Sequence, residues 1–244
     1  MTRLFHVITI TLIGWLATGS SLTLADGGLP VTPFQAHYEV FGKGLSLGEA
    51  VMSLTAVGSD GYRMSSDVQP GGLAALLASA RVHEQVNGKI HDGHIQPIRY
   101  ERQMDTGKKS SDVQLNFDWQ ANQVEARDNA QHATLPLSPG VVDPLSLNMA
   151  VMWDLQRNRL PKQYTLVDET ELKTFQIHNQ GEEILDTPLG QLRTVRISHS
   201  KPGNTRITTF WLALELHYLP VRIAQYKKGQ EVMRMEVRTV KDPP

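Results

Sequence analysis

Glu231-Val232-Met233-Arg234-Met235-Glu236-Val237-Arg238-Thr239 is the stretch that decides the fold. Met233, Met235 and Val237 point one way, and Arg234, Glu236 and Arg238 the other. A period of two belongs to a strand with one buried face and one wet face. The same alternation recurs in Phe34–Phe41, Ala50–Val57, Tyr62–Val68, Val113–Phe117, Tyr164–Val167, Phe175–Ile177, Leu192–His199, Ile207–Leu214 and Val221–Tyr226. Turn signals stand between these runs: Ser59-Asp60-Gly61, Asn87-Gly88, Asp92-Gly93, Thr106-Gly107, Thr187-Pro188-Leu189-Gly190, Pro202-Gly203-Asn204 and Lys227-Lys228-Gly229. Together they predict roughly ten or more antiparallel strands joined by short hairpins.

Two stretches break the period. Asp143-Pro144 offers an N-cap and a proline suited to the first helical position, and Leu145, Met149, Met152 and Leu155 follow near helical spacing. A helix is expected from about Pro144 to about Asn158, stopped before Pro161. In Gly71–Ala80, Leu73, Leu76, Leu77 and Ala80 share one helical face. That segment is expected as a short helix, with Leu73, Leu76 and Leu77 as a lid or partner-binding face if it does more than pack. No low-complexity linker divides the chain. Gln131 to Val142, with Pro136 and Pro139, is the expected seam between two halves of one domain, 26–244. A wide sheet curls, because a flat one is unfavourable and its edges invite aggregation. The fold class is therefore mainly β: one large curved antiparallel sheet or incomplete β-barrel, with one or two short helices covering an open side.

The start of the chain reads as an address. Arg3 is followed by an apolar run from Leu4 to Ala17, a polar stretch from Thr18 to Ser21, and the small residues Thr23 and Ala25. This is the layout of a secretory signal peptide, expected to be cleaved after Ala25 so that the mature protein begins at Asp26. The apolar run is shorter than the roughly 20 residues that cross a bilayer, and Gly14, Thr9 and Thr11 interrupt it. With no Cys in 244 residues, no acyl-bearing lipoprotein terminus, disulfide framework or thiolate metal site is expected. The expected location is the periplasm, without a lipid anchor or a further transmembrane segment. With 24 Lys and Arg against 25 Asp and Glu, the chain lacks the basic surplus that nucleic-acid binding requires.

Candidate chemistry is sparse. His91 and His94 flank the turn Asp92-Gly93 and are expected to be cross-strand neighbours, but two imidazoles fall short of the three or four protein ligands that zinc takes. Gly42-Lys43-Gly44 precedes a strand-like run, whereas a phosphate-cradling loop opens a helix. There is no Gly-x-Ser-x-Gly elbow, and nothing selects among His178, His199 and His217 as a catalytic base. Neighbouring carboxylates Glu182-Glu183 and Asp168-Glu169 adjoin strand ends, where alternation turns them to opposite sides and leaves them as solvated charges. No catalytic residue, cofactor or metal is expected. The aromatic residues Tyr38, Tyr62, Trp153, Phe175 and Trp211 are the candidates to line a cavity inside the curl, since curved sheets enclose apolar ligands when underfilled.

Several short motifs run in order along the chain: Tyr38-Glu39-Val40, Leu47-Gly48-Glu49-Ala50, Asp143-Pro144-Leu145-Ser146, Thr187-Pro188-Leu189-Gly190, Trp211 and Leu219-Pro220-Val221-Arg222-Ile223. In these it resembles the exported bacterial family catalogued as domain of unknown function 3108. The resemblance implies an exported β-rich protein and carries over no catalytic residues. The architecture is also similar to that of periplasmic carriers of lipid or lipoprotein, an analogy of shape that does not establish function. The expected role is non-enzymatic binding of an apolar or amphipathic partner, either a lipid-like ligand or a segment of an envelope protein. The alternatives are a hydrolase acting on a cell-envelope polymer or lipid, and a structural envelope component without a pocket.

Overall fold

The computed structural model describes residues 29–71, 81–107, 110–200, 203 and 205–241. The leader, residues 1–25, and the segment carrying Leu73, Leu76 and Leu77 lie outside the described residues. Fourteen strands form one antiparallel sheet. In the first half they are β1 (Phe34–Gly42), β2 (Leu45–Val57), β3 (Gly61–Pro70), β4 (Arg81–His91), β5 (His94–Asp105), β6 (Ser110–Asp118), β7 (Gln123–Asp128) and β8 (Gln131–Pro136). After helix α1 (Pro144–Gln156) come β9 (Gln163–Asp168), β10 (Glu171–Thr187), β11 (Gly190–Ser200), β12 (Arg206–Ala213), β13 (Leu219–Lys227) and β14 (Gln230–Lys241).

The order across the sheet is β8-β7-β6-β5-β4-β3-β2-β1-β14-β13-β12-β11-β10-β9. Each half is a meander of hairpins, and β1 joins the halves by pairing with β14. Three of the hairpins turn on two residues with positive φ: Lys43-Gly44, Asp92-Gly93 and Lys228-Gly229. These are the turns whose twist matches the flanking strands. The glycine-rich Gly42-Lys43-Gly44 is thus a hairpin, and His91 and His94 are register partners beside another.

Consecutive strands β8 and β9 occupy opposite ends of the order, so the sheet must curl. Laid flat, its strands would span roughly 60 Å at about 4.8 Å each. Yet Val142, six residues after Pro136, accepts a hydrogen bond from the Val167 amide of β9 at 2.9 Å. Six residues reach at most about 20 Å. One parallel bridge, Val142 to Leu166, is the only pairing across this gap among the described residues, and the barrel is not closed.

The helix lies inside the curl. Leu145, Met149, Ala150, Val151, Met152 and Leu155 are all buried, and they are distributed around its circumference. A helix apolar on all sides is one surrounded by protein. Its start is fixed by Asp143, whose carboxylate accepts from the amides of Leu145 and Ser146 at 2.9 and 3.0 Å. The outer face of the sheet is laced by charge: Arg196, Trp211, Arg222 and Glu236 form a row of register partners across β11 to β14. Arg196 and Arg222 flank the Trp211 ring at 5.2 and 5.8 Å, an arrangement of guanidinium on aromatic face.

The chain departs from its turn signals in one instructive place. Asn87-Gly88, expected as a hairpin, lies in the middle of β4. There Gly88 pairs with Tyr62 of β3, and a Cβ on Gly88 would collide with the Tyr62 ring. The glycine is needed for close packing and not for a turn. The expected seam at 131–142 likewise begins with a strand, β8.

Candidate functional site

Between α1 and strands β9 to β13 lies a partly open cavity of about 180 Å³. Its walls are Leu147 and Val151 of the helix, Ile177 of β10, Ile197 of β11, and Phe210 and Leu212 of β12. Phe175 and His199 complete one side. The Phe175 ring meets His199 edge-on at 4.8 Å, and His199 stacks on Phe210 at 5.4 Å. Burial pushes the His199 imidazole down to about 4, so it is neutral at pH 7. Its Nδ1 has no hydrogen-bond partner. Arg102 and Asp168 supply the charged part of the lining.

These two charges belong to a polar cluster that runs beneath the start of the helix. On one side, the Tyr62 hydroxyl and Ser146 Oγ are 2.8 Å apart, and Ser146 Oγ donates to Asp143 at 2.5 Å. Asp143 and Ser146 are fully buried. Burial raises the Asp143 carboxyl to about 6 in spite of the hydrogen bonds it accepts. On the other side, Arg102 of β5 donates to Asp168 of β9 at 2.9 Å, so one ion pair ties the fourth strand from one end of the sheet to the strand at the other end. Lys173, itself buried, donates to Asp168 at 2.7 Å and to Glu169 at 2.9 Å. Lys173 and Arg102 hold the Asp168 carboxyl below its ordinary value against the upward push of burial.

Glu84 of β4 sits between the two sides. It is the register partner of Arg102 on β5 and of Ser66 on β3. Burial raises its carboxyl to about 7, opposed by the Arg102 charge and the neighbouring Tyr100 hydroxyl, and reinforced by Asp143 and Asp168. Tyr100 is fully buried, with its hydroxyl turned to Glu84. Among the described residues no group of three or more His, Asp or Glu side chains is set to hold a metal ion.

Of the five aromatic residues expected to line a cavity, Phe175 lines this one. Tyr38 and Tyr62 are core residues whose hydroxyls are committed, Tyr38 donating to the Pro220 carbonyl at 2.8 Å. A buried phenol needs such a partner, and that need fixes the ring in the packing. Trp153 lies under the Arg157 guanidinium, 3.9 Å away, beside a smaller hollow near Gly93 and Tyr164. Trp211 faces outward, with its indole N–H donating to Glu183 at 2.5 Å. The reading of Asp168-Glu169 as solvated charges is corrected. Glu169 has a φ of 59°, so strand alternation ends there and both carboxylates turn to Lys173. His178 and His217 are exposed and do not line the cavity.

Sequence reasoning passed over Glu84, Arg102 and Lys173. The available signal was inverted: charged residues at inward positions erased the alternation that would have revealed β4 and β5. Such local conflicts between pattern and fold gather at functional or strained sites.

Comparison with curated proteins gives no match. Among solved structures, the crystal structure of a β-barrel-like protein of domain of unknown function DUF1849 from Brucella abortus aligns with a TM-score of 0.59 at 13% identity, covering 89% of this chain and 100% of that one. At that identity the likeness is one of fold. No helix among the described residues is long and apolar enough to cross a membrane. The model of the family described as "Protein of unknown function (DUF3108)" matches residues 33–236, and the chain belongs to that family.

Proposed function

We propose that the protein works after export, in the periplasm, as a non-enzymatic binding protein that takes an apolar group of a lipid-like ligand or an envelope-protein segment into the cavity between α1 and β9–β13. The observation that carries this reading is the cavity itself: about 180 Å³, walled by Leu147, Val151, Ile177, Ile197, Phe210 and Leu212. An apolar cavity of about 150 Å³ stays dry and binds benzene. Drug-sized pockets start at about 300 Å³. The site therefore suits the end of an alkyl chain or one apolar side chain, with the rest of the partner lying outside. The leader-like residues 1–25 support export.

Benzene and n-hexanol titrated into the mature protein test this reading, followed through the methyl NMR signals of Val151, Ile177 and Ile197. Saturable shifts confined to these methyls are expected. Val151→Phe, which fills the cavity from the helix side, abolishes them while the far-ultraviolet circular dichroism stays that of a β protein. Absence of saturable shifts in the wild-type protein overturns the reading.

A further inference from the structure

The cavity's charged wall is not electrically balanced. Around Arg102 and Lys173 stand four carboxyl groups, Glu84, Asp143, Asp168 and Glu169, and the two cations make hydrogen bonds only to Asp168 and Glu169. That leaves Glu84, which is half-buried, and Asp143, which is fully buried, without a hydrogen-bonded cation. Glu84 nevertheless stands directly across from Arg102 on the adjoining strand. Arg102 thus stands between Glu84, beside it on β4, and two carboxylates at the end of β9, Asp168 at 2.9 Å and Glu169 at 3.8 Å.

We propose that Arg102 is a proton-operated latch on the cavity: with Glu84 protonated it is committed to Asp168 and holds β5 to β9, and with Glu84 ionised it is shared between the two carboxylates and the wall loosens. The proposal rests on the binding role given to the cavity above, and names how that site is regulated. The groups that face Glu84 are Tyr100 and Arg102 from β5, Ser66 from β3, Asp143 from the helix cap and Asp168 from β9, with Lys173 and Glu169 behind Asp168. The nearest cation favours ionisation, whereas burial and the two aspartates oppose it. Opposition wins, and the carboxyl lies close to neutrality.

The sign follows from linkage. If the protonated form of Glu84 is the one that holds the cavity wall, ligand affinity is constant below the carboxyl's pKa and falls as pH rises through it. Below that point the anionic partners of Arg102, Asp168 and Glu169, both lie at the end of β9. Above it, a further anion one strand away competes for the same guanidinium, and the ion pairing that ties β5 to β9 weakens.

The test uses the mature protein, with NMR signals of the Glu84 side-chain carboxyl and the Arg102 side-chain Nε–H recorded across a pH titration, and benzene as the probe of the cavity. Glu84 is expected to titrate near neutrality and the Arg102 signal to move with the same midpoint. A half-unit shift of the Glu84 pKa on binding lowers benzene affinity about threefold between about pH 6 and about pH 8. Glu84→Gln, which copies the protonated form, flattens both the Arg102 response and the pH dependence of affinity. An Arg102 signal that stays fixed while Glu84 titrates overturns the latch, and so does a saturable benzene affinity indifferent to pH. Failure of benzene to bind at every pH defeats the carrier reading; the Arg102 signal, which needs no ligand, then decides the latch by itself.

Discussion

Glu84 faces Arg102 because β5 contains one residue too many. Gly88 pairs with Pro97 and Asn87 with Arg99, so Ile98 is a bulge, and its side chain is 47% exposed. Counting back from the Asp92-Gly93 turn without that bulge would set Glu84 opposite Glu101 and send Arg102 outward. One inserted residue reverses the faces, which is why the cluster was illegible in the sequence even though the turn was read correctly. Burying Glu84 also affects stability. Its folded pKa, about 7, lies above its unfolded value, so the folded state binds the extra proton between roughly pH 4.5 and pH 7. Stability is therefore lost as pH rises through that window and stays lost above it. Glu84→Gln is expected to leave the urea midpoint unchanged near pH 4.5 and to raise stability by about 1–3 kcal/mol near pH 8. A variant that gains nothing at pH 8 would show that Glu84 ionises there without cost. The neighbouring glycine gives a simpler expectation: Gly88→Ala forces the Tyr62 ring aside and is expected to cost about 1–3 kcal/mol, read from the same urea curves.

At the scale of elements, α1 is the part most plainly written in the sequence. Asp143 caps it, Pro144 opens it, and the apolar residues that follow run from Leu145 to Leu155, so its ends are read within two residues. Its setting is less legible. A polar chain from Asp143 through Ser146 to Tyr62 ties the cap to β3, and partners 84 residues apart leave no local trace. The cap therefore both starts the helix and fixes it against the sheet. Asp143→Ala removes a cap worth about 1–2 kcal/mol and strands buried donors at about 1–3 kcal/mol more. The expected outcome is a loss of a few kcal/mol by chemical denaturation, with the methyl signals of Val151 and Met149 broadened as the helix loosens in its seat. Asp143→Asn keeps an acceptor for the two backbone amides and removes the ionisable group. It is expected to retain most of the stability and to lose the part of the pH dependence that Asp143's raised pKa creates below about pH 6.

Over the whole molecule, strands with an apolar inner face such as β2 and β14 were legible, those carrying charge there, β4 and β5, were not, and the short β7 and β8 offered too few alternations to be read. The closure of the curl was hidden for a different reason: it depends on β8 and β9, consecutive in the chain yet at opposite ends of the sheet order. The centre of the sheet, where β1 meets β14, is held by a ladder from Gln35–Lys241 to Phe41–Arg234 with one bulge between His37 and Tyr38, and by outer-face ion pairs such as Arg238 with Glu39. The gap is held by one backbone bridge at Val142, the Arg102–Asp168 pair and the packing of α1. Local opening follows the weakest contacts, so the gap is where the molecule opens first. Arg102→Met removes the cross-gap pair while conserving apolar packing, and leaves Asp168 with Lys173. Hydrogen exchange is expected to accelerate in β8, β9 and the Val142 segment by about tenfold for each 1.4 kcal/mol of closure lost, with β1, β2 and β14 unchanged. The wild-type protein shifted from about pH 6 to about pH 8 is expected to show the same regional pattern, beyond the uniform effect of pH on intrinsic exchange, because ionised Glu84 draws on the same guanidinium. Acceleration spread evenly over all fourteen strands would mean that the sheet unfolds as one unit and that Arg102 closes nothing.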